Sequence, residues 1–147
     1  MSGFEKHIPS DMGVADVWKG LESDPDAELI DVRTQAEWAF VGICDLAGIS
    51  KRTIQLEWLG YPAGAIDPEF VEKLEAELEE RNRGKETKLF FMCRSGQRSL
   101  AAANAMSQRG WVNCINVREG FEGPIDEKRH RGGISGWKFE GLPWVQS

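Results

Sequence analysis

Residues 89–110, LFFMCRSGQRSLAAANAMSQRG, contain an apolar run, a polar loop and an alanine-rich run in direct succession. The run KLFFM at 88–92 has the composition of a strand that is buried on both faces of a parallel sheet. Residues 98–109 are predicted to form a helix that ends at Gly110 and packs on that sheet through its alanines. Cys93 opens the loop between the two elements, so its thiol is expected at the carboxyl end of a strand.

Segments of strand and helix character alternate along the rest of the chain. The other predicted strands lie at 27–32, 51–58 and 113–117, and the other predicted helices at 11–25, 37–42 and 68–83, of which 37–42 is a short helix or turn. Ser10 or Asp11 is expected to cap the first of these helices, and Asp67 the last.

This alternation predicts one α/β domain over residues 1–147, with a parallel sheet and helices on both faces. The structured core is expected at about 10–145, with the C-terminal tail 124–147 packed on it. Ligands bind such sheets outside the carboxyl ends of the strands. Cys93 and the glycine-rich loop REGFEGP at 118–124 both follow predicted strands, so a site is expected there.

The composition is that of a soluble globular protein, with 41% hydrophobic and 29% charged residues. No stretch approaches the roughly 20 apolar residues of a membrane span. Glu5 and Lys6 stand where a signal peptide would be apolar, so a cytoplasmic protein is expected. Three widely separated cysteines and two histidines form neither a disulfide framework nor a zinc pattern, so we expect no metal and no cofactor.

The charge is unevenly distributed. The net charge is −6, and the segment 67–83, with seven acids and three bases, supplies −4 of it. No acid stands between Lys88 and Arg118, whereas Arg94 and Arg98 flank the Cys93 loop. A positive patch on an acidic protein favours a small anionic ligand, and neither nucleic acid nor a membrane is expected as a partner.

The loop after Cys93 favours a reactive thiol. Gly96 can adopt backbone angles that other residues avoid, and the amides of the loop and of the following first helical turn can converge on one point. The positive helix end, Arg94 and Arg98 favour the thiolate, which is the nucleophilic form. Cys93 is therefore the predicted nucleophile, whereas Cys44 and Cys114 are expected to be structural.

At this point the chain resembles the rhodanese-like single-domain sulfurtransferases. LIDVRTQAEW at 29–38 is similar to the early Asp-Val-Arg block of that family, and CRSGQRS at 93–99 to its active-site loop. The segment 120–144 resembles the tail of one bacterial subgroup, with its Gly-Trp-Lys and Gly-Leu-Pro-Trp patterns. The resemblance implies a three-layer α/β sandwich on a five-stranded, mostly parallel sheet.

The resemblance also implies a double displacement at Cys93. The thiolate would take a sulfane sulfur from an anionic donor such as thiosulfate, and a thiol or cyanide would then remove it. Protein donors or acceptors are an alternative. The substrate would be bound by the loop residues that follow the cysteine: Arg94, Ser95, Gly96, Gln97, Arg98 and Ser99. The amides of residues 94–98 would stabilise the persulfide, and Arg94 and Arg98 would attract the donor.

Asp31, Arg33 and Glu37 are expected to be structural neighbours of the site, since the family uses that block to hold loops. The chain departs from the family pattern after Trp38, where VGICDLAGI contains no histidine. His130 is then the remaining candidate base. Trp137 and Trp144 of the tail are candidates to shield the pocket.

Two other functions remain open from the residues. Tyrosine phosphatases, and arsenate reductases of related fold, also use a cysteine in a strand-to-helix loop. Phosphatases need five residues between cysteine and arginine, whereas four separate Cys93 from Arg98, and Ser99 stands at the phosphatase arginine position. A non-enzymatic sulfur carrier or regulatory module would retain the same fold.

Overall fold

The computed structural model describes residues 9–59 and 65–146. The strands are β1 (Ser10–Met12), β2 (Glu28–Asp31), β3 (Ile43–Cys44), β4 (Ile54–Gln55), β5 (Leu89–Met92), β6 (Cys114–Val117) and β7 (Trp144–Val145). The main sheet has five parallel strands in the order β1-β6-β5-β2-β4, and a second sheet pairs β3 with β7 antiparallel. The helices are α1 (Val14–Ser23), α2 (Gln35–Phe40), α3 (Phe70–Glu80) and α4 (Gln97–Gln108), with a 3₁₀ turn at Ala47–Ile49.

Two apolar cores lie on opposite faces of the main sheet. The alternation of side chains along β5 sends Leu89, Phe91 and Cys93 into the core that α3 and α4 cover. Phe90 and Met92 enter the other core, which α1 and the tail residue Trp137 cover. The predicted three-layer α/β fold with a five-stranded sheet is therefore confirmed.

The first predicted helix begins later than expected. Ser10 and Asp11 do not cap it: they belong to β1, which pairs in parallel with β6. Helix α1 starts after Gly13, which provides no side-chain cap. The edge pairing of Ser10 with Ile115 is a contact between distant parts of the chain, so local sequence signals did not predict it.

Other boundaries also differ from the prediction. Only Ile54–Gln55 of the predicted strand 51–58 pairs, at the sheet edge beside Ile30–Asp31. Helix α3 starts at Phe70 after a turn in which Asp67 accepts a hydrogen bond from the Glu69 amide at 2.9 Å. Asp67 thus precedes the helix instead of capping it directly.

The tail contacts the body of the fold at several points. Trp137 is fully buried, its amide donates to the Gly120 carbonyl at 2.9 Å, and its ring meets Trp18 edge to face. Strand β7 pairs with β3. The predicted domain limits of 1–147 extend beyond the described residues at both ends, so these limits stay a prediction. Glu5 and Lys6 also lie outside the described residues.

No helix in the described ranges is long and apolar enough to cross a membrane.

Candidate active site

Cys93 follows β5, the central strand of the main sheet, and lies between the loops that follow β2 and β6. Its residue surface is only 1% exposed, but Cys93 lines a cavity of about 610 Å³. The residue therefore belongs to the cavity wall, and its side chain has almost no contact with bulk water. The other lining residues are Thr34, Glu37, Val41, Leu59, Arg94, Ser95, Gln97, Arg98, Glu122 and Arg131.

Two groups contact the sulfur directly. The Gly96 amide donates to Cys93 Sγ at 3.1 Å, and Ser99 Oγ lies 3.2 Å from it. Of the five amides predicted to converge on the sulfur, those of residues 94–98, only the Gly96 amide contacts Sγ in the described structure.

The amides of Arg94 and Ser95 are oriented by hydrogen bonds to the carbonyls of their own peptide groups. The Cys93 carbonyl accepts from the Phe121 amide at 2.9 Å, and the Arg94 carbonyl from the Glu122 and Gly123 amides. Because the carbonyl and N–H of a trans peptide point in opposite directions, the amides of Arg94 and Ser95 face away from segment 121–123. Neither amide donates to an acceptor within the described residues. As far as the described ranges show, both are available to a ligand.

Gly96 makes this loop conformation possible. Its φ is +108°, a region that favours glycine, and a Cβ there would overlap with the Arg118 carbonyl oxygen. Its own carbonyl accepts from the Leu100 amide at 3.3 Å and from Asn116 Nδ2 at 3.2 Å. The loop is therefore clamped between α4 and the end of β6.

Ser99 belongs to a buried polar chain. Asn116 Nδ2 donates to Asp11 Oδ1 at 2.9 Å and to the Gly96 carbonyl, so its Oδ1 faces Ser99. Ser99 Oγ lies 2.6 Å from that oxygen. The serine has one hydroxyl hydrogen for two acceptors, Asn116 Oδ1 and Cys93 Sγ, so it can respond to the protonation state of the sulfur.

Arg98 is paired, contrary to the expectation that it attracts the donor. Its Nη1 and Nη2 donate to the two oxygens of Glu37 at 2.7 and 2.9 Å. Burial disfavours the charged carboxyl of Glu37, but the hydrogen bond and charge of Arg98 outweigh it and lower the pKa of Glu37. Glu37 also completes a capping box with Thr34 at the start of α2.

Asp31 and Arg33 lie beneath the site, fully buried, and form an ion pair of 2.8 Å. Burial alone would lower the pKa of Arg33, but the hydrogen bond and charge of Asp31 raise it. The guanidinium also donates to the Gly42 carbonyl at 2.8 Å and stacks 4.1 Å from the centre of the Phe121 ring. Since Phe121 holds the Cys93 carbonyl, the pair supports the loop from behind.

The remaining candidates lie outside the cavity lining. His130 is exposed and interacts with Asp126 through its backbone, whereas Trp137 is in the opposite core. Trp144 packs edge to face on Phe121. Cys44 and Cys114 are both buried, and burial raises the pKa of each thiol, that of Cys114 to about 11.

Sequence reasoning missed two charged residues of the cavity, Glu122 and Arg131. Glu122 belongs to the glycine-rich loop after β6, which was expected near the site, so a signal for it existed. Arg131 stands in the charged run EKRHR, where nothing in the sequence distinguishes it from Arg129. Asn116, which orients Ser99, was likewise assigned only to a strand.

Comparison with known proteins shows the family of this chain. The family described as STR4 middle domain matches residues 11–147. The chain belongs to this family. It is thus a rhodanese-like protein, as the sequence blocks predicted. Rhodanese-like domain-containing protein 4 of Arabidopsis thaliana is 24% identical to it over 126 residues, which are 86% of this chain and 23% of that protein.

Bacterial relatives match this rhodanese-like protein over most of their length. An uncharacterized protein of Rickettsia conorii is 36% identical over 124 residues, which are 84% of this chain and 87% of the relative. The crystal structure of Rv0390 from M. tuberculosis has a TM-score of 0.83 and 36% identity, with 95% of this chain and 99% of that one covered.

A polysulfide-sulfur transferase homodimer from Wolinella succinogenes shares the fold, with a TM-score of 0.59 and 21% identity over 95% of this chain and 80% of that one.

Proposed function

We propose that the protein is a sulfurtransferase that carries sulfane sulfur on Cys93. The observation that supports this most is that Cys93 lines the cavity with Sγ in contact with the Gly96 amide, in a loop whose Arg94 and Ser95 amides have no acceptor among the described residues. Amides preorganised in this way stabilise a negative charge without reorganisation during the reaction.

The reaction would proceed in two displacements. The Cys93 thiolate attacks the outer sulfur of a donor such as thiosulfate, whose S–S bond breaks, and sulfite leaves with the electron pair. The terminal sulfur of the resulting persulfide is one bond further from the backbone than Sγ, and the amides of Arg94 and Ser95 would be its donors. A thiolate or cyanide then attacks that sulfur, and the Cys93 thiolate is released. One difficult transfer thus becomes two easier ones.

The cationic groups available to an anionic donor are Arg94 and Arg131. Arg94 is exposed and, like Arg131, forms no ion pair within the part of the chain that the structure describes. Arg98 is largely neutralised by Glu37. The donor would therefore approach Cys93 between the active-site loop and the tail.

The contacts of the same loop support phosphatase activity less well than sulfur transfer. The short loop places Ser99, with a fully buried hydroxyl group, at the position of the phosphatase arginine. The nearest loop arginine, Arg98, uses both terminal nitrogens on Glu37 instead of facing the thiol. A phosphoryl group would thus lack the bidentate cation that this chemistry requires.

The test is mass measurement after incubation with thiosulfate. We expect the Cys93 peptide to gain the mass of one sulfur atom, and cyanide to release it as thiocyanate. Cys93→Ser should show neither result, whereas Cys114→Ser, a matched change at a buried thiol, should show both. Failure to form the adduct, or turnover of an aryl phosphate by the wild type, would refute the proposal. An adduct that forms only from a protein persulfide donor would identify a carrier.

A further inference from the structure

The cavity is much larger than a thiosulfate ion. Its volume of about 610 Å³ lies within the range of about 300–1,000 Å³ that is typical of sites for organic ligands. Val41 and Leu59 add apolar surface to its wall. The size and lining therefore fit a substrate with a carbon skeleton attached to its sulfur.

Besides Arg94, which belongs to the active-site loop, two lining residues carry charges that the described protein does not neutralise. Arg131 donates from Nη1 to the Gly123 carbonyl at 2.8 Å, but it has no carboxylate partner in the described ranges. Glu122 likewise has no ion-pair partner there, and the two residues do not pair with each other. Beyond the active-site loop, the described cavity wall thus presents one cation and one anion that are not paired with each other.

Both residues are firmly held beside the Cys93 loop. The Glu122 amide donates to the Arg94 carbonyl at 3.0 Å, and the Glu122 carbonyl accepts from the Gly132 amide at 2.7 Å. The Gly123 amide donates to the same Arg94 carbonyl, while the Gly123 carbonyl accepts from Arg131. One residue, Gly123, therefore connects the Arg131 guanidinium to the active-site loop.

We propose that the organic substrate of this cavity is an aminothiol carboxylate, or its persulfide, with its carboxylate on Arg131 and its ammonium group on Glu122. This inference rests on the proposed sulfur transfer. The thiolate of the substrate attacks the terminal sulfur of the Cys93 persulfide, one S–S bond forms as another breaks, and the Cys93 thiolate leaves. No net oxidation occurs, and the thiol proton goes to solvent.

The test uses enzyme that has first been loaded with sulfur by thiosulfate. The second-order rate constant of sulfur removal is measured for four thiols: cysteine, N-acetylcysteine, cysteamine and 2-mercaptoethanol. They carry both charged groups, the carboxylate alone, the ammonium alone and neither. The ratio of wild-type to variant rates is compared for each thiol, because the intrinsic reactivity of the thiol cancels in that ratio.

We expect Arg131→Gln to slow sulfur removal by cysteine and by N-acetylcysteine about tenfold, which corresponds to the loss of one charge-assisted hydrogen bond. The rates with the other two thiols should not change. Glu122→Gln should slow sulfur removal by cysteine and by cysteamine only. Arg131→Lys, which keeps the cation, should retain most of the preference for carboxylates. Arg129→Gln, a matched change at an exposed residue of the same loop, should alter none of the four rates.

Equal losses with all four thiols, or unchanged rates with cysteine, would overturn this inference and leave the proposed function intact. Absence of the sulfur adduct on wild-type Cys93 would overturn both. Loading with thiosulfate is carried to completion for each variant before the rates are measured, and an unchanged midpoint of urea unfolding reports that the variant is folded.

Discussion

Ser99 Oγ lies 2.6 Å from Asn116 Oδ1, and this contact links helix α4 to strand β6 directly behind the nucleophile. Asn116 also binds the Gly96 carbonyl, so one amide side chain anchors both residues that contact Cys93 Sγ. The sulfur is therefore positioned by a buried polar chain that reaches back to Asp11 on the edge strand.

Ser99→Ala is expected to lower the free energy of unfolding by about 1–3 kcal/mol, because Asn116 Oδ1 is left buried without a donor. It should also slow sulfur loading of Cys93, since the hydroxyl that can donate to the thiolate is lost. Urea unfolding and the rate of adduct formation measure the two effects. Ser107→Ala, a buried serine on the same helix, is the control and should leave loading unchanged. Equal loading rates in both variants would contradict the role of Ser99.

Gly96→Ala should destabilise the protein much more than Gly110→Ala. Both glycines have positive φ, +108° and +91°, so each substitution carries a backbone cost of about 1–2 kcal/mol. A Cβ at Gly110 meets nothing within 4 Å, whereas at Gly96 it overlaps with the Arg118 carbonyl, which adds about 1–3 kcal/mol. Denaturant titration gives both values, and similar losses in the two variants would show that the loop is not clamped as described.

The Glu37–Arg98 pair should make stability depend on pH. The folded pKa of Glu37 is lowered, so its contribution is complete above the ordinary carboxyl value of about 4.3 and is lost as the pH falls through the folded pKa. Glu37→Gln is expected to cost about 2 kcal/mol at pH 7 and progressively less in acid.

Glu69→Gln is the control for this titration, since Glu69 is exposed and lies 3.9 Å from Lys73. It should cost less than about 1 kcal/mol at pH 7. A cost for Glu37→Gln that stays constant between neutral and acid pH would refute the ion-pair explanation.

Alkylation at pH 8 should modify Cys93 alone. Burial raises the pKa of Cys114 to about 11 and that of Cys44 well above its usual range, so neither forms thiolate at this pH. Cys93 is open to the cavity. Mass spectrometry should find one adduct on the native protein, none on Cys93→Ser and three after denaturation. Native modification at Cys44 or Cys114 would contradict the burial argument.

Much of the fold was predictable from local patterns. The runs at 88–92 and 113–117 match β5 and β6 within one residue, because strands buried on both faces are continuously apolar. Strands β1, β3 and β7 were missed, since each has only two or three residues and is defined by pairing with a distant segment. The position of Trp137 in the core opposite Cys93 follows from the same long-range packing.

The order of residues alone determined that Cys93 opens a loop between a buried strand and a helix, because strand and helix periodicity and the loop residues are local properties of the chain. Only the tertiary structure decided which charges face the thiol. Folding brings Glu37 onto Arg98 and the tail residue Arg131 into the cavity, since each of these contacts joins segments that no local pattern relates. Of the two cations expected from the loop, Arg98 is thereby neutralised, and Arg131 from a distant segment joins Arg94 at the cavity.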